Sequence, residues 1–508
     1  MSLSSLETTI TRRPLATLAG FLALHLAVWT ALPALLYPNL PLDLIEALTY
    51  GREWQLGYDK LPPLPWWLVE LAWQATGQNI HADFAYYLLA QLAVCIALAA
   101  VWATARPIVG AVGALTALLI VDGLHYLNFT AAKFNHDVVQ LPLWGLAGFA
   151  FHRALRNGAW HYWVVLGLAV GLALWAKYFV VMLVAPMALF LVFDKTARRH
   201  LLTPGPYLGA AVALIVMLPH LVWLVSSDFL PLAYAEARAQ PSRGVIDHLW
   251  HPLQFIIGQG FFMLPALAIA AMLFLPRGSE APPLGDAEDR RIVTLLAFGP
   301  AVAVAALAAV SGRGTIAMWG YPLWMFLGLW LVMAARTHLT GQRLRRLTTT
   351  WAVVFAGFAA VFVVSYAVMP AFDHRYRAVF FPGEALAKDV SARFRALTGK
   401  PLVYVVATMW DGGNIAHYSP ERPQPRVLID GKPARAPWID LADLASKGAA
   451  IVWTGSDPRV LPALFRNIGA DAEIQEPFTL PYRRGPGEVH VGWALLRPRP
   501  AIAALTSR

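Results

Sequence analysis

A chain of 508 residues with 58% hydrophobic and 14% charged side chains falls well below the roughly 25% charge of an ordinary soluble protein, and this places it in a membrane. Its net charge of +10 requires no nucleic acid, because basic inner loops beside anionic lipid account for much of it. The single cysteine, Cys95, sits inside an apolar run and excludes both a disulfide framework and a cysteine metal site.

In chain order, apolar runs recur near residues 15–36, 84–105, 107–122, 138–155, 160–176, 179–194, 207–226, 252–275, 292–311, 316–335 and 349–370. A span takes about 20 residues, so the pattern predicts about eleven membrane helices. Arg12 and Arg13 precede the first run, which is longer than a signal-peptide core and is followed by no clear cleavage site; it reads as an uncleaved anchor. With the N-terminus inside, the inner loops hold fifteen basic residues: Arg12, Arg13, Arg106, Arg153, Arg156, Lys195, Arg198, Arg199, Arg277, Arg290, Arg291, Arg336, Arg343, Arg345 and Arg346. The outer loops hold seven: Arg52, Lys60, Lys133, Lys177, Arg238, Arg243 and Arg313. That bias sets the orientation and turns the first loop away from the cytosol.

Beyond residue 370 the apolar runs shorten to strand length, at 402–407, 449–454 and 489–496, with helix-like stretches at 383–397 and 458–468. Residues 1–370 are therefore expected to form a transmembrane domain, and residues 371–508 a small α/β domain outside the cytosol. Asp411-Gly412-Gly413-Asn414 follows a strand candidate and reads as a turn or a binding loop. Asn128-Phe129-Thr130 matches the short N-glycosylation pattern, which has no meaning in a bacterium.

Between the first two runs lies a polar island that holds Asp43, Glu46, Arg52, Glu53, Asp59 and Lys60. Charge beside a membrane helix is costly, so it marks a site by default. If helical, Asp43 and Glu46 share one face, and Glu53 falls near the same stripe. Pro62, Pro63 and Pro65 stop a helix and hold Lys60 in an extended turn, while Trp66 and Trp67 suit the membrane interface. Ordinary interfacial loop residues would give the same composition. Two further clusters on the same side favour a site: Lys133-Phe134-Asn135-His136-Asp137, opening into the 138–155 run, and Trp175-Ala176-Lys177-Tyr178. Asp137 also suits a helix cap, His136 reads as its hydrogen-bonding neighbour, and Lys177 suits an anionic lipid headgroup.

The order of these elements, DxxE, then Y-x-K with PPL and aromatics, then an outer Asp, then KY, resembles the polytopic GT-C glycosyltransferases that use polyprenyl-phosphate sugars. The resemblance is greatest to the protein O-mannosyltransferase-like group, which includes the lipid A aminoarabinose transferases and the rhizobial lipopolysaccharide galacturonosyltransferases. Segments 219–238 and 313–324 also look like family segments, and the likeness covers roughly residues 10–370. It implies a GT-C fold and an inverting transfer of sugar from a polyprenyl monophosphate to a periplasmic-side lipid, glycan or protein, in a bacterial inner membrane. It implies a catalytic Asp43 with Glu46 as companion, donor-phosphate contacts from Tyr58, Lys60, Lys177 and Arg238, and a second acid, Asp137, beside His136. Leu61 stands between Lys60 and Pro62 where many members read KPP directly.

The chemistry agrees with these residue types. Lys60 and Arg238 would stabilise the charge that builds on the leaving phosphate, and Asp43 would take the proton of an acceptor hydroxyl. A magnesium or manganese ion across Asp43, Glu46 and Asp137 is an open alternative, since hard carboxylates suit such ions. His81 and His220 lack ligand spacing, and no P-loop or Rossmann fingerprint points to a nucleotide donor. The competing reading is a transporter or flippase of lipid-linked sugars; no internal repeat or paired broken segments support it. Which sugar and which acceptor are used is not written in the sequence.

Overall fold

The computed structural model describes residues 3–275, 282–339, 341–373 and 375–499, so Arg277 of the inner-loop set lies outside the described residues. Two compact units interleave along the chain. One comprises Met1–Leu32, Asp59–Pro65 and Tyr87–Phe362; the other comprises Pro33–Tyr58, Trp66–Tyr86 and Val363–Arg508.

The first unit is helical. Among the described residues, six helices of the chain are long and apolar enough to cross a membrane: Pro14–Leu36, Phe84–Asp122, Gly205–Ser226, Asp247–Phe274, Ala287–Ser311 and Gly341–Ala371. Trp160–Ala176 and Tyr178–Phe193 are apolar but shorter, and the 138–155 run lies in the 22-residue helix His136–Asn157. The runs expected at 84–105 and 107–122 share one helical stretch, broken at Gly110, whose φ of 71° suits a residue without Cβ. Pro107 stands just ahead of that kink.

The 316–335 run departs most from expectation. Its first half is a 3₁₀ turn, Ala317–Gly320, and irregular chain, and only Leu327–Ala335 is α-helical. Non-helical backbone in such a chain survives where protein groups satisfy it. Here the carbonyl of Ala317 accepts from the Tyr126 hydroxyl at 2.7 Å and Gln259 Nε2 at 2.9 Å, and Trp324 Nε1 donates to Gln259 Oε1 at 3.1 Å. A Cβ on Gly320 would stand 1.9 Å from Gln259 Oε1, so the close approach needs glycine.

The second unit is built on a six-stranded sheet: β1 (Tyr404–Ala407), β2 (Arg426–Ile429), β3 (Ala449–Thr454), β4 (Glu473–Ile474), β5 (Phe478–Pro481) and β6 (Glu488–Leu496). Its order is β2-β1-β3-β6-β4, with β5 also on β6; β1 pairs in parallel with β2 and β3, and β6 runs antiparallel. The three strands expected from sequence are β1, β3 and β6. Alternation along them feeds two cores. Val405, Ala450, Val452 and Trp493 meet Leu386, Val390 and Phe394 of the helix Gly383–Thr398, whereas Val406, Ile451 and Trp453 meet Leu444 and Phe465. The helix expected at 458–468 is absent; only Ala463–Phe465 forms a 3₁₀ turn, after Pro458 and Pro462, which restrict the residues before them.

Asp411-Gly412-Gly413-Asn414 is neither a turn nor a loop but part of the buried helix Met409–Tyr418, capped by Thr408, whose hydroxyl accepts from the Asp411 amide. Its glycines serve packing. A Cβ on Gly412 would lie 2.4 Å from Val427 Cγ1 of β2, and one on Gly413 would lie 2.5 Å from Thr49 Oγ1 and 2.6 Å from Ile45 Cγ2. The helix thus touches the sheet on one side and the helix Leu42–Gly51 on the other.

Candidate active site

The helix Leu42–Gly51 starts after Pro41 and carries Asp43 in its first turn, where the helix dipole favours an acid. Leu44, Ile45, Ala47 and Leu48 are buried, the leucines and isoleucine being worth up to about 1.5–3 kcal/mol each, which leaves Asp43 and Glu46 half-exposed three residues apart. Two polar clamps fix the approach to this helix. Asn39 Nδ2 donates to Asn414 Oδ1 at 3.1 Å, and the Leu40 amide donates to the Tyr418 hydroxyl at 3.1 Å.

The rest of the island divides by burial. Arg52 donates to the carbonyl of Leu48 at 3.1 Å, the carbonyl of Pro425 at 3.2 Å and Gln424 Oε1 at 3.0 Å. Glu53, 8% exposed, pairs with Arg426 at 2.9 Å. Burial raises its carboxyl above the usual range against the pull of Arg426 and Arg52. These two charges knit the second unit together. The Tyr58 hydroxyl donates to the carbonyl of Tyr50 at 2.8 Å and accepts from the Gln55 amide. Trp66, expected at the membrane interface, is buried instead and stacks on Tyr50 with centroids 4.4 Å apart.

Within the first unit, the loop that bears Lys60 meets the second cluster. His136 Nε2 donates to the carbonyl of Pro62 at 3.1 Å, the neighbourly role expected of it. Asn135 caps the helix His136–Asn157, its side chain accepting from the amides of Asp137 and Val138. Asp137 is therefore not itself the cap. Its carboxylate accepts from Lys177 Nζ at 2.6 Å, with side chains 10% and 17% exposed. Lys177 thus answers a carboxylate of the protein, where an anionic headgroup was expected. It lies in extended backbone just past the helix Trp160–Ala176. Lys60 Nζ stands 5.9 Å from the ring of Tyr234, and Arg238, exposed, lies one helical turn further along Leu230–Arg238. Lys60, His136, Asp137 and Lys177 thus belong to one unit, whereas Asp43, Glu46 and Tyr58 belong to the other.

Sequence reasoning missed four contributors. Tyr178 and His220 share a hydrogen bond of 2.7 Å beside Lys177, with Trp223 stacked on the imidazole; the only signal was the aromatic density around KY. Asn135 was read as part of a charged cluster although Asn ahead of an apolar helix is a cap signature. Gly413 was read as turn chemistry.

A divalent ion does not fit the acids as they stand. Among the described residues no group of three or more His, Cys, Asp or Glu could hold a metal ion, and the Asp137 carboxylate already faces the ammonium of Lys177.

The family described as dolichyl-phosphate-mannose-protein mannosyltransferase matches residues 60–223, a stretch that contains Lys60, Asp137 and Lys177. The lipopolysaccharide core galacturonosyltransferase RgtB of Rhizobium johnstonii is 23% identical over 94% of this chain and 96% of its own length. RgtA of the same organism is 25% identical over 95% and 96%. The crystal structure of ArnT from Cupriavidus metallidurans, bound to undecaprenyl phosphate, shares the fold with a TM-score of 0.62 at 14% identity, covering 95% of this chain and 98% of that one. Over nearly its whole length the chain is thus similar to lipopolysaccharide galacturonosyltransferases, and it shares the fold of ArnT.

Proposed function

We propose that the protein is an inverting glycosyltransferase of the bacterial inner membrane that moves a sugar from a polyprenyl monophosphate to a lipid, glycan or protein acceptor on the periplasmic side. The observation that carries this reading is the half-buried Asp137–Lys177 pair, 2.6 Å apart, in the same unit as the Lys60 loop and tied to that loop through His136. A loop lysine and an exposed Arg238 are the cations a departing phosphate needs once no nucleotide or metal shares its charge.

In this reading Lys60 and Arg238 hold the donor phosphate and stabilise the charge that grows as the glycosidic C–O bond breaks. Asp43 removes the proton of the acceptor hydroxyl as it attacks from the opposite face, which inverts the anomeric centre; help of this kind is worth about 10²–10⁴-fold. Glu46, three residues on, shapes the field around Asp43. Lys177 holds Asp137 in place through their ion pair, and the Tyr58 hydroxyl serves the fold of its own unit more than it touches phosphate, because it is engaged with Tyr50 and Gln55. About eleven spans, an outer α/β tail beyond residue 370 and an outward-facing site complete the proposal.

The relatives act on lipopolysaccharide core by name, and ArnT was solved with undecaprenyl phosphate; both support a lipid-linked donor and a lipid or glycan acceptor here. The test is transfer by purified protein across a panel of polyprenyl-phosphate sugars with lipopolysaccharide acceptors. Release of polyprenyl phosphate matched by glycosylated acceptor supports the reading. Movement of lipid-linked sugar between leaflets without transfer would replace it with a flippase.

A further inference from the structure

We propose that the second unit carries a separate binding site for the phosphate group of a membrane lipid, where the last apolar helix ends. That helix, Gly341–Ala371, is long and apolar enough to span, and near its end it loosens into a π-helix over Val364–Val368. A π turn disturbs the regular bonding of a helix and recurs at functional sites. Two arginines take the carbonyls of this stretch. Arg377 Nη1 donates to the carbonyl of Ser365, and Arg484 Nη1 donates to the carbonyls of Tyr366, at 2.6 Å, and Leu36, at 3.2 Å. Both guanidinium groups lie against the ring of Phe380, 5.8 and 5.9 Å from its centroid.

A shallow cleft open to the surface lies among Asp373, Arg375, Arg377, Tyr376, Tyr482 and Arg484. Its charge is unbalanced. Asp373 is shared between Arg375 at 3.7 Å and Arg377 at 3.4 Å, whereas Arg484 reaches only carbonyls among the described residues. Arg375 is 87% exposed at its side chain and, among the described residues, its guanidinium pairs only with Asp373. Three guanidinium groups around one carboxylate leave two positive charges for an anion, and the fork of N–H donors on arginine matches phosphate oxygens.

The surface beside the cleft says that the anion belongs to a lipid. Val364, Val368, Met369 and Phe372 form an exposed apolar stripe just ahead of it, 46%, 46%, 39% and 78% exposed. A soluble anion would use the guanidinium groups and leave this stripe without a purpose. A phospholipid would use both, with its phosphate in the cleft and its acyl chain along the stripe. None of these residues belongs to the transfer machinery, so the inference does not depend on the glycosyl-transfer reading.

Native mass spectrometry of the full-length protein in detergent tests it, with dioleoyl phosphatidate and dioleoylglycerol as probes that share tails and differ in the phosphate. Wild type is expected to retain phosphatidate in preference. Arg375→Gln should weaken that retention roughly tenfold, the worth of a charge-assisted hydrogen bond, with an unchanged melting temperature. Phe372→Ser should weaken it through the stripe alone. Equal retention of the two lipids, or wild-type retention in both variants, would overturn the site. Displacement of phosphatidate by millimolar inorganic phosphate would overturn the lipid assignment.

Discussion

Gly413→Ala puts the role of the C-terminal unit under direct strain. The added methyl would stand 2.5 Å from Thr49 Oγ1 and 2.6 Å from Ile45 Cγ2, against an ordinary contact of 3.4–4 Å. Thr49 cannot swing aside freely, because its hydroxyl donates to the carbonyl of Ile45 at 2.7 Å. The helix Leu42–Gly51 must therefore move by roughly 1 Å, at a cost of about 1–3 kcal/mol for overpacking. A displacement of that size at an acid poised for proton transfer costs on the order of 10²-fold in rate. The assay pairs a thermal melt with the initial rate of sugar transfer per folded molecule. Gly412→Ala is the control, since its methyl meets Val427 of the sheet at 2.4 Å, away from the acid helix. It should lose comparable stability and keep its rate, and adding Thr49→Ala to Gly413→Ala should recover part of the lost rate. A Gly413→Ala protein that transfers at the wild-type rate, or a Gly412→Ala protein that loses as much, would refute the positioning argument.

Three other outcomes are expected. Lys177→Met should destabilise by about 3–5 kcal/mol, because it strands a half-buried carboxylate, and Lys177→Met with Asp137→Leu should regain much of that loss without regaining transfer; melts of the single and double variants no different from each other would deny the coupling. Asp83, whose Oδ1 is buried without a hydrogen-bond partner among the described residues, has its carboxyl pushed up to about 7 by burial, Arg483 pulling the other way. The folded state therefore holds the proton more tightly, and this group's contribution falls as pH rises from the ordinary value of about 3.9 through 7; Asp83→Asn should raise the melting temperature at alkaline pH and change it little near pH 4, and an equal gain at both would contradict the cause. His25 and Asp122 lie 2.7 Å apart with no exposed side-chain surface, and Trp351 donates to Asp122 Oδ2 at 2.7 Å. His25→Leu should remove the polar group facing Asp122 Oδ1 and lower the melting temperature more than Trp351→Phe does; the reverse order would assign the anchoring to the indole.

The sequence announces what depends on local pattern. Apolar runs place most of the helices, and β1, β3 and β6 stand out because central strands are continuously apolar. The short edge strands β2, β4 and β5 carry weaker patterns and went unread. The 316–335 run looks like a span because its composition is apolar; what breaks it is a set of distant side chains, Tyr126 and Gln259, that no local window contains. The same holds at the candidate site. Charge density and sidedness drew attention to Asp43, Lys60, Asp137 and Lys177, but the partition of the island did not follow from it. Arg52 and Glu53 turn to Gln424 and Arg426, more than 370 residues away in sequence. Gly413 resembles a turn glycine in isolation, and only the helix it approaches explains it. The C-terminal tail carries the groups that hold the acid helix.

The central claim, that sugar leaves a polyprenyl phosphate with Asp43 as the base, is tested most directly by single-turnover release of polyprenyl phosphate by wild type and Asp43→Asn at matched donor occupancy. A loss of about 10²–10⁴-fold in the rate, with donor affinity kept, is the predicted result. Release by Asp43→Asn at the wild-type rate would contradict it.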